Sequence, residues 1–564
     1  MTIDAFPPGV ILVLGGLVLP FVSQQIRYTI ILLLPLFVLW SVWQVGDGVQ
    51  LTLPFLDYEL AVVKGDALSR IFATVFAIMA FVGGLFALKQ KQVAELAAAF
   101  IYAGSAIGVA FAGDLITVFI FWEIMALGST MVIWAAKTPE SYKASMRYLM
   151  IHLLGGVILM SGVIAHIADT GSVAFQAMTP NSIGTWMILA GFLINAGAPP
   201  LTAWLPDAYP EGSFSGTVFL SAFTTKTAIY VLLRGYPGTE ILIYIGVYMI
   251  FYGIIYALLE NDMRRILSYS IINQVGFMIT GIGIGTEMAL NGAAAHAFTH
   301  IIYKGLLLMS AGSVIYMTGG KRKCTDLGGL FQSMPITCIC GIIGALAISS
   351  FPLTSGFISK SMIAQAAGDE QLLFVWMCLA AASAGVFLHA GIKFPWFVFF
   401  QKDSGLRPKD PPWNMKAAMI LFAFLCIALG VAPGPLYDIL PFKTTYEPYT
   451  VPHVINQLQL LLFAGLSFFL ALPIMKRTLT ISLDWDWFYR KFGAWLIVFL
   501  TRGTVEMRRD IFGNLQIFVN SVINLAFKGH GPNGIFARTN ATGNSVATVI
   551  ILLTVLMLIF YLEI

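Results

Sequence analysis

The chain has 564 residues, 58% of them hydrophobic and 11% charged, with a formal net charge of +4 and a mean hydropathy of +0.84. Soluble domains carry about a quarter charged residues, so this composition excludes a soluble protein and indicates a polytopic membrane protein. The small positive balance, without a basic patch interleaved with aromatics, excludes nucleic-acid binding and is better read through membrane topology.

Met1-Thr-Ile-Asp-Ala-Phe6 lacks a basic region and a small-residue cleavage site, so the first apolar run is expected to stay as a span. Hydropathy predicts about sixteen spans, near 9–23, 28–46, 69–88, 93–112, 114–135, 143–167, 184–205, 216–234, 239–259, 264–285, 290–317, 335–363, 371–400, 414–433, 455–476 and 544–562. Loops after odd-numbered spans hold most of the basic residues, among them Lys89, Lys91, Lys137, Lys143, Arg147, Arg264, Arg265, Lys321, Arg322, Lys323, Lys402, Arg407, Lys476 and Arg477. Loops after even-numbered spans hold Asp114, Asp169, Glu287, Asp369 and Glu370. The positive-inside rule then puts both termini outside and the odd loops in the cytoplasm.

Glu123 lies inside the fifth span. In the seventh, Asn195-Ala-Gly-Ala-Pro-Pro-Leu-Thr-Ala-Trp-Leu-Pro-Asp-Ala-Tyr-Pro-Glu211 carries Pro199, Pro200 and Pro206, which must break the helix and free carbonyls. Broken membrane helices mark ion or substrate paths. Asp207 and Glu211 follow the break, and Lys226 sits in the next span. Each intramembrane charge costs about 2.5–3.5 kcal/mol on insertion scales, so these are functional candidates; the bland alternative is capping or pairing of a broken helix. Farther on come Arg264 and Arg265 at a span start, then His296, His300 and Lys304, which recur every four residues and so share one helical face. Such a face suits a proton relay, against the alternative of helix–helix hydrogen bonds. Pro352-Leu-Thr-Ser-Gly echoes Pro200-Leu-Thr-Ala-Trp and is followed by Lys360, as expected of an inverted repeat.

The five cysteines, Cys324, Cys338, Cys340, Cys378 and Cys426, show no CxxC or Cys/His spacing and read as small buried hydrophobes. No metal, cofactor or catalytic residue is expected, and the lack of a phosphate loop argues against nucleotide-driven transport. Between the last two spans, Asp484 to Lys528 mixes aromatics with Arg502, Glu506, Arg508, Arg509 and Asp510. This suits either one long helix on the cytoplasmic membrane surface or a short one broken at Gly503, Gly513 or Gly529–Gly534.

Phe121-Trp-Glu123, Trp204-Leu-Pro-Asp207-Ala, Asn261-Asp-Met-Arg-Arg-Ile-Leu-Ser-Tyr-Ser270, His300-Ile-Ile-Tyr-Lys304 and Pro352-Leu-Thr-Ser-Gly-Phe-Ile-Ser-Lys360 together resemble the motifs of a known family. It is that of the antiporter-like subunits shared by respiratory complex I, membrane-bound hydrogenases and Mrp multisubunit sodium/proton antiporters. The surface segment and its flanking spans look like the distal, lateral-helix-bearing subunit of complex I. The resemblance implies an all-α polytopic fold of about fourteen core helices with two inverted five-helix repeats. The expected domains are 1–92 (N-terminal helices), 93–234 and 239–400 (the repeats), 401–476 (C-terminal core helices), 477–543 (lateral helix and loop) and 544–564 (last span).

By that resemblance Glu123 is the glutamate of the fifth helix, Lys226 the lysine of the eighth, His300 and Lys304 the central relay, and Lys360 the lysine of the broken twelfth helix. One position departs: the family's seventh-helix lysine is here Asn195, which cannot exchange a proton near neutral pH. Arg264 likewise replaces a lysine with a group that never deprotonates. Three replacements stay open for the first repeat: Lys226 pairs with Glu123, Asn195 and Glu123 hold sodium, or the repeat is silent. The expected function is proton or sodium/proton translocation in a multisubunit complex of the inner (plasma) membrane, among other membrane subunits and lipids, with any redox chemistry belonging to the complex. The alternatives are a proton-conducting coupling subunit of a bicarbonate-accumulating complex or a structural subunit; a stand-alone carrier is disfavoured.

Overall fold

The computed structural model describes residues 6–473, 484–531, 534 and 541–562. Thirteen helices in it are long and apolar enough to cross a membrane, and three shorter apolar ones, Pro8–Phe21, Ile183–Ala196 and Pro335–Ile348, account for the rest of the expected spans. The protein is an all-α, multi-pass membrane protein.

The helices run α1 (Pro8–Val18), α2 (Gln24–Val42), α3 (Ala67–Phe86), α4 (Val93–Phe111), α5 (Leu115–Trp134), α6 (Pro139–Thr170), α7 (Ile183–Ala196) and α8 (Trp204–Ala208). They continue as α9 (Gly216–Leu220), α10 (Thr224–Gly235), α11 (Ile241–Leu259), α12 (Met263–Ile284), α13 (Glu287–Met317), α14 (Pro335–Ile348) and α15 (Ser355–Asp369). Then come α16 (Leu373–Val386), α17 (Trp413–Val431), α18 (Gly434–Tyr437) and α19 (Val451–Ala471). Starts are set by side-chain caps: Asp114, Thr138, Ser182, Asp262 and Thr286 each accept from a backbone N–H in the first turn.

Two features differ from the expected run of spans. An antiparallel hairpin of β1 (Gly48–Phe55) and β2 (Tyr58–Gly65) lies between α2 and α3, in the connection between two expected spans, where no strand was expected. Alternation in Val49-Gln-Leu-Thr-Leu53 carried that signal, but a hydropathy window averages it away. The span expected as continuous over 216–234 is interrupted at Ser221–Phe223, where no proline warns of it. After α16 the helix continues with π-helical turns at Phe387–Lys393 and Trp396–Phe400.

The apolar stretches of α12 and α13, with that of the α9–α10 span, are buried throughout and form the centre of the bundle. α11 is held against α12 through glycines. A Cβ on Gly276 would sit 2.6 Å from the Gly246 carbonyl oxygen and 2.9 Å from the Ile250 nitrogen, both backbone atoms that cannot swing aside. Close backbone approach at small residues is the usual way membrane helices gain dispersion contact. Gly276→Ala is therefore expected to cost about 1–3 kcal/mol, read as a lower thermal midpoint of the detergent-purified complex.

The described chain divides into two compact units, Met1–Asp486 and Trp487–Ile564. In the second, α20 (Gly493–His530) is one continuous helix of 38 residues, about 57 Å long at 1.5 Å per residue and longer than a bilayer core is thick. Gly503 and Gly513 do not interrupt it; the helix stops at the Gly529–Gly534 run. α21 (Thr542–Tyr561) follows. Lys476, Arg477 and the Glu506 side chain lie outside the described residues. Asp484 belongs to the first unit, where the hydroxyls of Tyr252 (α11) and Tyr269 (α12) both donate to its carboxylate, Tyr269 at 2.5 Å.

Candidate functional site: buried lysines at helix breaks

The chain between α7 and α8 leaves the helix at Gly197, whose positive φ of 79° closes the last turn. Pro199 and Pro200, joined by a cis peptide bond, keep it from resuming until Trp204. The Trp204 indole N–H donates to the Ile194 carbonyl at 2.9 Å, satisfying one group that the break frees. Asn195, in the last turn of α7, is fully buried, and neither its Oδ1 nor its Nδ2 has a hydrogen-bond partner.

A second carbonyl is freed at Ser221, between α9 and α10. Lys226 Nζ donates to it at 2.6 Å and to Thr225 Oγ1 at 3.0 Å. The α14–α15 break repeats the device: Lys360 Nζ donates to the Ile348 carbonyl at 2.7 Å and sits 4.9 Å from the Phe277 ring centre. Both lysines are thus docked on helix-break carbonyls. Among the described residues no salt bridge joins Lys226, Lys304 or Lys360 to a carboxylate. Of the three replacements left open for the first repeat, the pairing of Lys226 with Glu123 is not formed; the break carbonyl takes the ammonium group instead.

Between these ends α13 supplies the middle. Lys304 Nζ donates to Ser270 Oγ at 2.9 Å. His296 bridges two helices, with Nε2 3.0 Å from Gln274 Oε1 and Nδ1 2.9 Å from Ser359 Oγ. The Gln274 amide nitrogen donates to Asn273 Oδ1, which fixes Oε1 toward the histidine and assigns the His296 proton to Nε2. His300 is fully buried with both ring nitrogens unpartnered, 6.1 Å ring to ring from His296 and 5.2 Å from Tyr303. His296, His300 and Lys304 follow one another a turn apart along α13 and share one buried face.

Glu123 is half-buried on α5, and its Oε1 has no partner. Its carboxyl packs over Gly156 of α6, while the neighbouring Gly155 faces Asn195, with Asn195 Oδ1 3.7 Å from where a Gly155 Cβ would stand. One turn back on α6, His152 is buried, its Nδ1 2.9 Å from the Tyr148 carbonyl and its ring stacked 3.8 Å from Tyr148. That contact makes Nδ1 the donor and leaves Nε2 a buried acceptor without a partner. Buried polar atoms are normally satisfied, so unpartnered atoms of Glu123 and Asn195 against one glycine pair, with that of His152 on the same helix, are a chemical signal.

The remaining charges are held in ion pairs or on backbone carbonyls. Arg147 clamps the Asp207 carboxylate through two hydrogen bonds of 2.7 and 2.8 Å, so Asp207 is an ion-pair partner at the foot of the broken helix. Arg322 joins Glu211 at 2.9 Å to Asp262 at 2.6 Å. Burial works against the Arg322 charge, but Asp262 and Glu211 outweigh it and hold its pKa above the ordinary value. Arg264 donates to the carbonyls of Gly212 and Ser213 and to Thr217 Oγ1, and Arg265 pairs with Glu260 at 2.8 Å. His152, Glu95, His389 and Lys393 are further buried ionisable residues that neither motif nor spacing singles out. Glu95 is fully buried and accepts from Ser213 and Ser215 at 2.7 and 2.6 Å. Lys393, on a π-helical turn, caps α11 through three carbonyls, at 3.1, 2.6 and 2.5 Å. All four are ionisable residues inside apolar runs, a signal hydropathy alone discards.

Residues 112–386, which contain every member of this row, match the protein family described as NADH:quinone oxidoreductase/Mrp antiporter, transmembrane. Over that region the chain is similar to the family. A sodium/proton antiporter component of Alkalihalophilus pseudofirmus, the D-type chain of its complex, is 29% identical over 353 residues, covering 59% of this chain and 71% of the relative. Among solved structures, a chain of the membrane-bound sulfane sulfur reductase, an archaeal respiratory membrane complex, superposes with a TM-score of 0.72 at 24% identity, covering 98% of this chain and all of the other. A chain of the Mrp complex of Dietzia sp. gives 0.71 at 18% identity, covering 83% and 99%. The fold of the archaeal complex's chain is therefore shared over 98% of this chain.

Proposed function

We propose that this chain is an ion-translocating subunit of a multisubunit membrane complex, moving protons along the buried row Lys226, His300, Lys304 and Lys360, with exchange against sodium as the alternative. One observation carries the reading: ionisable groups stand in series at the bundle centre, two of them held by carbonyls at helix breaks instead of by carboxylates. An ammonium group held by a neutral dipole can lose its proton without stranding a buried anion. His296 and Tyr303 extend the row through Gln274.

In the first repeat, 93–234, Glu123 works with His152 and Asn195 in place of a glutamate–lysine switch. His152 supplies the titratable group that Asn195 lacks, and Glu123 and Asn195 offer the hard oxygens a sodium ion would need. The second repeat, 239–400, carries the His296–Lys360 stretch in inverted orientation. The membrane is the plasma membrane, with both termini outside and α20 on the cytoplasmic side, against other subunits. The A. pseudofirmus relative, part of a sodium/proton antiporter, supports this reading.

Flux of protons or sodium in vesicles holding the whole complex tests it. Lys360→Ala and Glu123→Gln are each expected to lower flux at least about tenfold. Full flux in both variants would overturn the assignment.

A further inference from the structure

A groove of about 470 Å³ runs between α14, α19 and the π-helical turns that follow α16. Every residue lining it is apolar, from Leu346 and Phe351 at the second helix break to Phe400 and Phe469 at the far end. Glycine makes the room: only Phe387 and Ile392, at 3.4 and 3.7 Å, stand within 4 Å of where a Gly465 Cβ would be. Aromatic rings close the far end, Trp396 meeting Phe469 edge-on at 5.1 Å and stacking on Phe400 at 6.4 Å. Such girdles mark the headgroup level of a membrane. Lys402 follows Phe400 by two residues. In the loop that begins there, Arg407 takes the Asp403 carboxylate at 2.5 Å, and Asp410 caps α14, accepting from the N–H groups of Ile336 and Thr337. Among the described residues Lys402 and Lys409 form no salt bridge, so the loop leaving the aromatic end carries two uncompensated ammonium groups.

We propose that this groove binds one acyl chain of an anionic phospholipid, with its headgroup held by the Lys402–Lys409 loop and its chain tip against the second break. Dimensions select the occupant. From Leu458 to Phe469, α19 lines the groove over about 16 Å, half the thickness of a bilayer's hydrocarbon core and so the depth of one leaflet. Spread over that length, the volume gives a mean cross-section of about 30 Å², whereas a helix with its side chains, about 10–12 Å across, needs at least about 80 Å². A partner helix does not enter; a flexible hydrocarbon chain does. Lysines near a membrane surface attract anionic lipids, which sets the charge of the headgroup. At the inner end Gly391 packs so closely on Ser349 of the break that a Cβ there would lie 2.4 Å from the serine Oγ. The Ser349 carbonyl accepts from Gln457 of α19 at 3.3 Å, beside the Ile348 carbonyl that holds Lys360. Packed walls need partner atoms on both sides, and a chain in the groove supplies that dispersion contact and braces α19 against the break.

Photolabelling of the whole complex, delipidated and rebuilt in phosphatidylcholine nanodiscs, tests the site without measuring flux, so it stands or falls apart from the translocation reading. The probe is a phosphatidylglycerol with a diazirine at mid-chain. Leu462 and Leu466 line the groove, whereas Phe463 and Leu470 are exposed on the same helix outside it. Labelling at Leu462 and Leu466 should saturate as the probe is raised, and unlabelled phosphatidylglycerol should displace it where added phosphatidylcholine does not. Labelling at Phe463 should rise in proportion to the probe. Gly465→Leu, which fills the groove, should remove the saturable labelling and keep that at Phe463, with partner subunits still co-purifying; Leu470→Phe should change neither. Phosphatidylglycerol should raise the thermal midpoint of the delipidated native complex and leave that of Gly465→Leu unmoved. Proportional labelling at all four residues means bulk lipid only. No labelling at Leu462 and Leu466 while Phe463 is labelled means that protein fills the groove. Equal displacement by phosphatidylcholine removes the headgroup's part. Each of these three results overturns the proposal, and the first two are read on the native complex, whatever the variant does to folding.

Discussion

Gly156→Ala is expected to cut ion flux at least about tenfold while leaving the complex assembled. A Cβ at Gly156 would fall well inside contact distance of Glu123 Oε1 and 2.9 Å from its Cδ. Both atoms are at the end of a flexible side chain, so the carboxyl swings aside and the helices keep their places. Alanine is also the better helix former, by about 1 kcal/mol, which favours α6. Gly155→Ala is the control on the adjacent residue. Its Cβ would meet Ile194 Cγ2 at 3.2 Å and Asn195 Oδ1 at 3.7 Å, contacts that a small adjustment absorbs. Flux near native in Gly155→Ala, with loss in Gly156→Ala and unchanged co-purification of partner subunits in both, is the expected pattern. Native flux in Gly156→Ala would remove Glu123 from the path.

The bundle was legible in the sequence because burial in a bilayer imposes long apolar runs, and each expected span has its helix. The breaks were legible where proline announces them, at Pro199–Pro200 and Pro352, and invisible at Ser221–Phe223, where the interruption depends on Lys226 holding the Ser221 carbonyl. The ionisable row was legible residue by residue, since charge in an apolar run is conspicuous. Its pairing was not: Lys226 was a reasonable partner for Glu123, but proximity along the chain says nothing about which acceptor wins in space. Asp207 shows the same limit from the other side. It stood out as an intramembrane carboxylate, yet Arg147, which the charge count had placed in a cytoplasmic loop, neutralises it in a two-pronged pair. His152 was overlooked because a lone histidine within an apolar run carries no spacing signal; only its buried, unpartnered Nε2 distinguishes it.

The break carbonyls also explain how a lysine row exists without carboxylates to balance it. A carboxylate partner would stabilise each ammonium group strongly and make proton release costly, whereas a carbonyl dipole holds the chain end in place in either protonation state. The first repeat is the exception, because Glu123 has a free carboxyl oxygen and Asn195 offers it no charge.

That asymmetry makes Asn195→Lys the most diagnostic change in the protein. The site is fully buried beside a helix break, so a new ammonium group there docks either on a freed carbonyl, as Lys226 and Lys360 do, or on Glu123 across the Gly155–Gly156 strip, and the cycle with Glu123→Gln tells the two apart. The single variant is expected to fold, with the pair formed and flux becoming less dependent on His152. Combining it with Glu123→Gln strands the ammonium group. Breaking a buried pair from one side costs about 3–5 kcal/mol, so the double variant should lose far more thermal stability than the sum of the two single changes. Glu123→Gln alone should be nearly neutral for stability, since it removes a carboxyl oxygen that holds no partner. The measurement is the thermal midpoint of the purified complex for the four members of the cycle. If the two changes simply add, the introduced ammonium group does not meet Glu123, and the seventh-helix position lies apart from the glutamate in this protein.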